Sequence, residues 1–192
     1  MSVTKSRIPF TYEDYKSLPE AMDRRYELMD GELCLMAAPT TTHQIISQNI
    51  EFLLVQHARA TRCGRVLHAP VDVVLLGESS RRDVVQPDIV FVCSARGEIV
   101  TDAEVTGAPD LLVEILSPGT EERDRGYKKT LYERNGVREY WIVDPEQESI
   151  DMFCLGAAGF DTPVRYRLDD ELASTVIPDL RIPVVDVFKK WD

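Results

Sequence analysis

Apolar and polar positions follow one another in runs that predict the order of elements along the chain. Thr11 to Leu18 suits a short opening helix, ended by Pro19. Arg25 to Met36 reads as two strands around Asp30-Gly31, a strong two-residue hairpin signal. A long helix follows, capped by Thr40, Thr41 or Thr42 and running to about Thr61. Ile46, Ile50, Leu53 and Leu54, with His57, recur at helical spacing and mark its buried stripe. Cys63-Gly64 ends it.

Arg65 to Leu76 is strand material, and the charged stretch Glu78 to Asp83 reads as a mobile loop. Asp88 to Val92 and Asp110 to Leu116 are short apolar runs, the pattern of strands covered on both faces. Ser94 to Pro109, between them, is polar and expected to be irregular. Thr120 suits the cap of a further helix that Asn135-Gly136 stops, with Glu121 and Glu122 at its positive end. Arg138 to Val143 and Ile150 to Leu155 are strands, and Val164 to Leu168 and Val184 to Phe188 read as edge strands. The alternation of strands and helices makes the fold class mixed α/β.

With 192 residues, the chain suits a single domain spanning residues 1–192. No apolar run reaches the roughly 18–20 residues of a membrane-spanning helix. Met1 to Phe10 lacks the apolar stretch of a secretory signal, so a cytoplasmic location is the default expectation. The four cysteines and three histidines are scattered, which argues against zinc and for reduced thiols. A formal net charge of −11 weighs against a protein that coats nucleic acid by general electrostatics. It leaves room for an enzyme that uses carboxylates to hold a cation.

Glu114 is the residue that invites chemistry. In Asp110 to Leu116, Leu111, Val113 and Ile115 share one face, and Leu112, Glu114 and Leu116 share the other. Both faces are otherwise apolar, so Glu114 should be buried, where a carboxylate needs a proton, a basic partner or a cation. Asp88 follows Gln86-Pro87 at the head of another buried strand; by itself it reads equally as a turn residue. Brought together, the two carboxylates would repel unless a hard cation such as Mg²⁺ or Mn²⁺ lay between them. Asp124, Lys128 and Tyr132 recur at i, i+4 and i+8 on one helix face. That face is either an exposed Asp–Lys pair beside a packed tyrosine, or it turns the Lys128 ammonium towards the carboxylates.

Several stretches together resemble one family. They are Tyr26 to Leu33, Gln86-Pro87-Asp88-Ile89-Val90-Phe91, Val113-Glu114-Ile115-Leu116-Ser117-Pro118, Asp124 to Lys128 with Tyr132, and Glu139 to Pro145. The chain resembles the Uma-type restriction endonucleases, a branch of the PD-(D/E)XK nuclease superfamily, over roughly residues 8 to 190. The resemblance implies a restriction-endonuclease-like fold: a central mixed β-sheet flanked by helices, with an N-terminal β-hairpin. It implies a metal-dependent endonuclease acting on DNA, often as a homodimer, with Asp88 and Glu114 holding Mg²⁺ (or Mn²⁺) and the carbonyl of Ile115 as a further ligand. The superfamily pattern expects a lysine two residues after the acidic strand residue; this chain has Leu116, and Lys128 on the next helix matches the relocated lysine. Glu27 matches a family position that completes the site, against an exposed hairpin carboxylate as the plainer reading. His43 reads as a helix-end or surface residue, and Tyr132 as packing. The alternative is a catalytically inactive nuclease-fold protein with a binding or regulatory role.

Overall fold

The computed structural model describes residues 8–19, 26–77 and 81–190; Arg25 and residues 78–80, which the expected hairpin and loop include, lie outside the described residues. The opening helix α1 (Tyr12–Lys16) is capped by Thr11, which exchanges hydrogen bonds with Asp14. The hairpin forms at Asp30-Gly31, where β1 (Tyr26–Met29) pairs antiparallel with β2 (Glu32–Leu35). Both turn residues have positive φ, 47° and 79°, as a type I′ turn needs. A Cβ at Gly31 would also come within 2.4 Å of the Pro9 Cβ.

Helix α2 (Thr41–Thr61) starts at Thr40, whose hydroxyl accepts from the His43 amide, and ends at Arg62 in the left-handed region. Ile46, Ile50, Leu54 and Ala58 are its buried stripe, while Leu53 and His57 are half-buried. Its threonines, isoleucines and valine have indifferent helix propensity. Each buried Ile or Leu contributes about 1.5–3 kcal/mol, so packing rather than propensity holds the helix.

The stretch expected as one strand divides into β3 (Gly64–His68) and β4 (Val73–Leu76) around Pro70, which has no N–H for a ladder. Strand β5 (Arg82–Val85) replaces the end of the expected loop. Asp83 is fully buried there because the Asp30 amide and the Tyr127 hydroxyl both donate to it. Strand β6 (Ile89–Cys93) is followed by a 3-10 helix (Ser94–Ile99) and β7 (Val105–Thr106), so the segment expected to be irregular is partly ordered. After β8 (Leu111–Ile115), the expected helix is α3 (Glu121–Arg123), a π-helical turn (Asp124–Lys128) and α4 (Lys129–Asn135). Thr120 makes no side-chain bond to the helix amides, and Gly136, with φ 85°, ends α4 as expected.

The remaining elements are β9 (Glu139–Asp144), β10 (Ser149–Gly156), β11 (Gly159–Phe160), β12 (Val164–Tyr166), β13 (Glu171–Ala173), β14 (Arg181–Pro183) and α5 (Val184–Val187). Helix α5 corrects the expected edge strand at Val184 to Phe188. Val184 and Val187, three apart, bury together on the core, and the Asn49 amide donates to the carbonyls of Val187 and Lys189.

The main sheet runs β11-β10-β9-β8-β6-β3, with β12 also on β10; β8 and β9 are parallel and the other neighbours antiparallel. One face packs on α2 and the C-terminal elements through Phe91, Val113 and Trp141. The other carries Val90, Leu112 and Ile142 and packs on α4 and on a second sheet, ordered β2-β1-β5-β4-β7. That second sheet, containing the hairpin, covers a face that the sequence reading assigned to helices.

Candidate active site

Strand β8 lies between β6 and β9, so both of its edges are hydrogen-bonded and its side chains are buried on both faces. Alternation puts Glu114 on the face towards α4 and the second sheet, where it is 4% exposed. Its Oε1 accepts from the Tyr132 hydroxyl at 2.7 Å and from the Lys128 ammonium at 2.9 Å. The helix face carrying Asp124, Lys128 and Tyr132 is thus turned inward; Lys128 is 1% exposed, not part of a surface pair. The π turn contains both Asp124 and Lys128, and the Tyr140 hydroxyl donates to the Asp124 carbonyl within it.

Lys128 is surrounded by acids. Its Nζ lies 2.9 Å from Glu27 Oε1, 2.9 Å from Glu114 Oε1 and 3.5 Å from Asp124 Oδ1. Glu27 is fully buried behind it, so this hairpin carboxylate is not on the surface, and the Gln86 amide donates to its Oε1. Asp88 stands at the head of β6, next to the same group. The Ile115 amide donates to its Oδ2 at 2.8 Å, and His43 Nε2 lies 3.1 Å from that oxygen. His43 is therefore engaged with the site, not a surface residue. The Ile115 contact is through its N–H.

Asp88, Glu114, Asp124 and Lys128 line one cleft of about 240 Å³, with His43, Gln86 and Thr120 at its walls. Glu27 and Tyr132 hold the back of it. Burial pushes the Glu114 carboxyl well above its usual range; Lys128 opposes the shift, and Asp124, Asp88 and Glu27 reinforce it. Asp124 is raised for the same reason, against Lys128 and a Thr120 hydrogen bond. For Lys128, burial acts downward but Glu114, Glu27 and Asp124 outweigh it, so the ammonium is held above its ordinary value. Three acidic side chains thus face one ammonium whose charge they favour, with Asp88 beside them.

Among the described residues, the buried Glu27 Oε2 has no hydrogen-bond partner, and Asp124 Oδ1 has none beyond its 3.5 Å ion pair with the Lys128 ammonium. Such atoms are costly unless they meet a cation or a proton. Among the described residues, no three His, Cys, Asp or Glu side chains are already gathered as metal ligands; the Lys128 ammonium occupies the space between the acids.

The Uma2 family, described as "Putative restriction endonuclease", matches residues 12–185. The chain belongs to the Uma2 family. An uncharacterized protein of Synechocystis sp. is 26% identical over 161 residues, covering 83% of this chain and 82% of the relative. The crystal structure of a putative nuclease of the DUF820 group from Anabaena variabilis superposes with a TM-score of 0.77 at 18% identity, covering 94% of this chain and 98% of that one. The mixed α/β architecture is thus restriction-endonuclease-like, as the resemblance implied, and the Uma2 match supports a nuclease role. Among the described residues, no helix is long and apolar enough to cross a membrane.

Asp124 and His43 are the site residues that the sequence reading undervalued. Asp124 had its signal in the i, i+4 spacing to Lys128. His43 had none, because its approach to Asp88 depends on how α2 packs against the main sheet.

Proposed function

We propose that the protein is a Mg²⁺- or Mn²⁺-dependent endonuclease that hydrolyses DNA phosphodiester bonds. The observation that carries this reading is the cleft in which Asp88, Glu114 and Lys128 meet, with Asp88 aimed by the Ile115 amide. The surplus of carboxylates, with Glu27 Oε2 and Asp124 Oδ1 lacking hydrogen bonds among the described residues, fits a hard divalent cation, which prefers oxygen ligands. Asp88 and Glu114 would hold it, with the Ile115 carbonyl as a further ligand. Once bound, the ion supplies Lewis acidity and lowers the pKa of a water.

The chain's own groups divide the remaining work. Lys128 is kept protonated by its three acidic neighbours, so it offers charge and donors to the attacking water or the developing phosphate charge and does not take a proton. Tyr132 fixes Glu114 from behind, and Glu27 fixes Lys128. Two copies in a homodimer would present one site to each strand of a duplex.

The test is to incubate DNA with the purified protein and Mg²⁺ or Mn²⁺, with Asp88→Ala alongside. Cleavage by the wild type and its loss in the variant is the expected outcome. Equal activity in both would overturn the assignment.

One observation favours a second reading, a non-catalytic nuclease-fold protein. The Lys128 ammonium already neutralises part of the acidic group, and Leu116 stands where the superfamily pattern has lysine. Calorimetric titration with Mn²⁺ separates the two readings, since an inactive relic would show no binding that depends on Asp88.

A further inference from the structure

The segment that builds α2 and β3 has an electrostatic character unlike the rest of the molecule. From Met36 to Val71 it contains three arginines, Arg59, Arg62 and Arg65, against the single acid Glu51, in a chain whose formal net charge is −11. The three arginines are exposed and line one groove at the end of α2, closed on its other side by Cys93, Ser94 and Gly97. The Ser94 hydroxyl donates to the Arg62 carbonyl and ties the two sides together. Among the described residues, none of the three guanidinium groups has an ion-pair or hydrogen-bond partner. Several other described arginines are used structurally, as Arg125 and Arg165 are on Asp151.

This groove is joined to the active-site cleft by the elements themselves. Helix α2 begins beside Asp88, through His43, and its C-terminal turn carries Arg59. Strand β3 is the outer strand of the main sheet and leads back from Arg65 to His68. A second groove at that end is lined by Gln44, Ser47, Gln48 and His68 and shares His43 and Asp88 with the cleft. Besides Asp88 its acid is Glu51, which is covered by His68 at 2.8 Å. From His43 to Arg59 is 16 helical residues, about 24 Å at ~1.5 Å per residue. That equals roughly seven phosphates of one DNA strand at ~3.4 Å each.

We infer that Arg59, Arg62 and Arg65 form the docking site for the phosphate backbone of the DNA substrate, about two-thirds of a helical turn from the bond being cut. The inference rests on the endonuclease reading. It resolves the difficulty of an acidic protein acting on a polyanion: the track along α2 and β3, whose acid Glu51 is paired with His68, ends in a basic clamp. Three guanidinium groups without partners among the described residues offer bidentate donors to phosphate.

The experiment measures binding of a fluorescent duplex of about two helical turns by anisotropy, in EDTA and across a salt series, with cleavage in Mg²⁺ measured in parallel. The triple change Arg59→Gln, Arg62→Gln, Arg65→Gln is expected to weaken binding about tenfold or more and to reduce the salt slope by about 3. The triple lysine variant, which keeps the charge, should retain most of the slope and guards against a folding artefact. Unchanged affinity and slope in the glutamine variant, while the wild type still cuts DNA, would overturn the docking site alone. A wild type that neither binds nor cuts DNA would overturn the endonuclease reading and the docking site with it.

Discussion

Lys128→Met is expected to lower the unfolding free energy by about 3–5 kcal/mol at pH 7, because it strands buried carboxylates without the ammonium they share. Methionine fills most of the lysine's volume, so the loss reports charge rather than a cavity. Glu114, Glu27 and Asp124 all lie within 3.5 Å of the Lys128 nitrogen, and all are almost completely shielded from water. The deficit should shrink as the pH falls. Glu114 and Asp124 already have raised pKa values in the folded protein, and losing Lys128 removes the main influence that holds them down. A carboxyl with a raised folded pKa binds its proton more tightly when folded, so its contribution is greatest at acid pH and is lost as pH rises through that raised value. The gap between variant and wild type should therefore narrow from neutral pH towards the ordinary carboxylate range. Urea melts at several pH values check this, and a pH-independent gap would mean that shape, not charge, is at stake.

Glu114→Gln should separate chemistry from stability. Glutamine can still accept from Tyr132 and Lys128 at the same place, and it removes a buried charge whose ionisation burial already disfavours. Stability should fall by no more than about 1 kcal/mol, since a net hydrogen bond is worth about that much. Metal-dependent cleavage should fall by about 10³-fold, since a metal site supplies several kcal/mol of transition-state stabilisation and each ~1.4 kcal/mol is tenfold. Thermal melts and single-turnover cleavage on one preparation give both numbers. A variant that melts like the wild type and cuts like it would remove Glu114 from the mechanism.

The parts of this site that were legible in the sequence are those whose environment is set locally. Glu114 sits in a five-residue strand with apolar neighbours on both faces, so its burial follows from period-two alternation alone. The spacing of Asp124, Lys128 and Tyr132 showed that they share a helix face but not which way the face turns. That depends on α4 packing against the second sheet. The π turn is likewise invisible to a 3.6-residue period. Glu27 becomes an interior residue only because β1 pairs with β5 across 50 and more residues of chain. Asp83 was lost for a related reason, since a charged residue satisfied by distant donors looks like loop. Val184-Val185-Asp186-Val187 fits an edge strand or one helical turn equally well, and contact with α2 decides it.

The central claim is that Asp88 and Glu114 jointly hold one divalent cation beside Lys128. Anomalous diffraction from a crystal soaked in Mn²⁺ tests this most directly. The account predicts a single strong peak between the two carboxylates, with the Lys128 ammonium within a few ångströms, and its disappearance in Asp88→Ala. Manganese bound elsewhere, or bound equally well without Asp88, would contradict it.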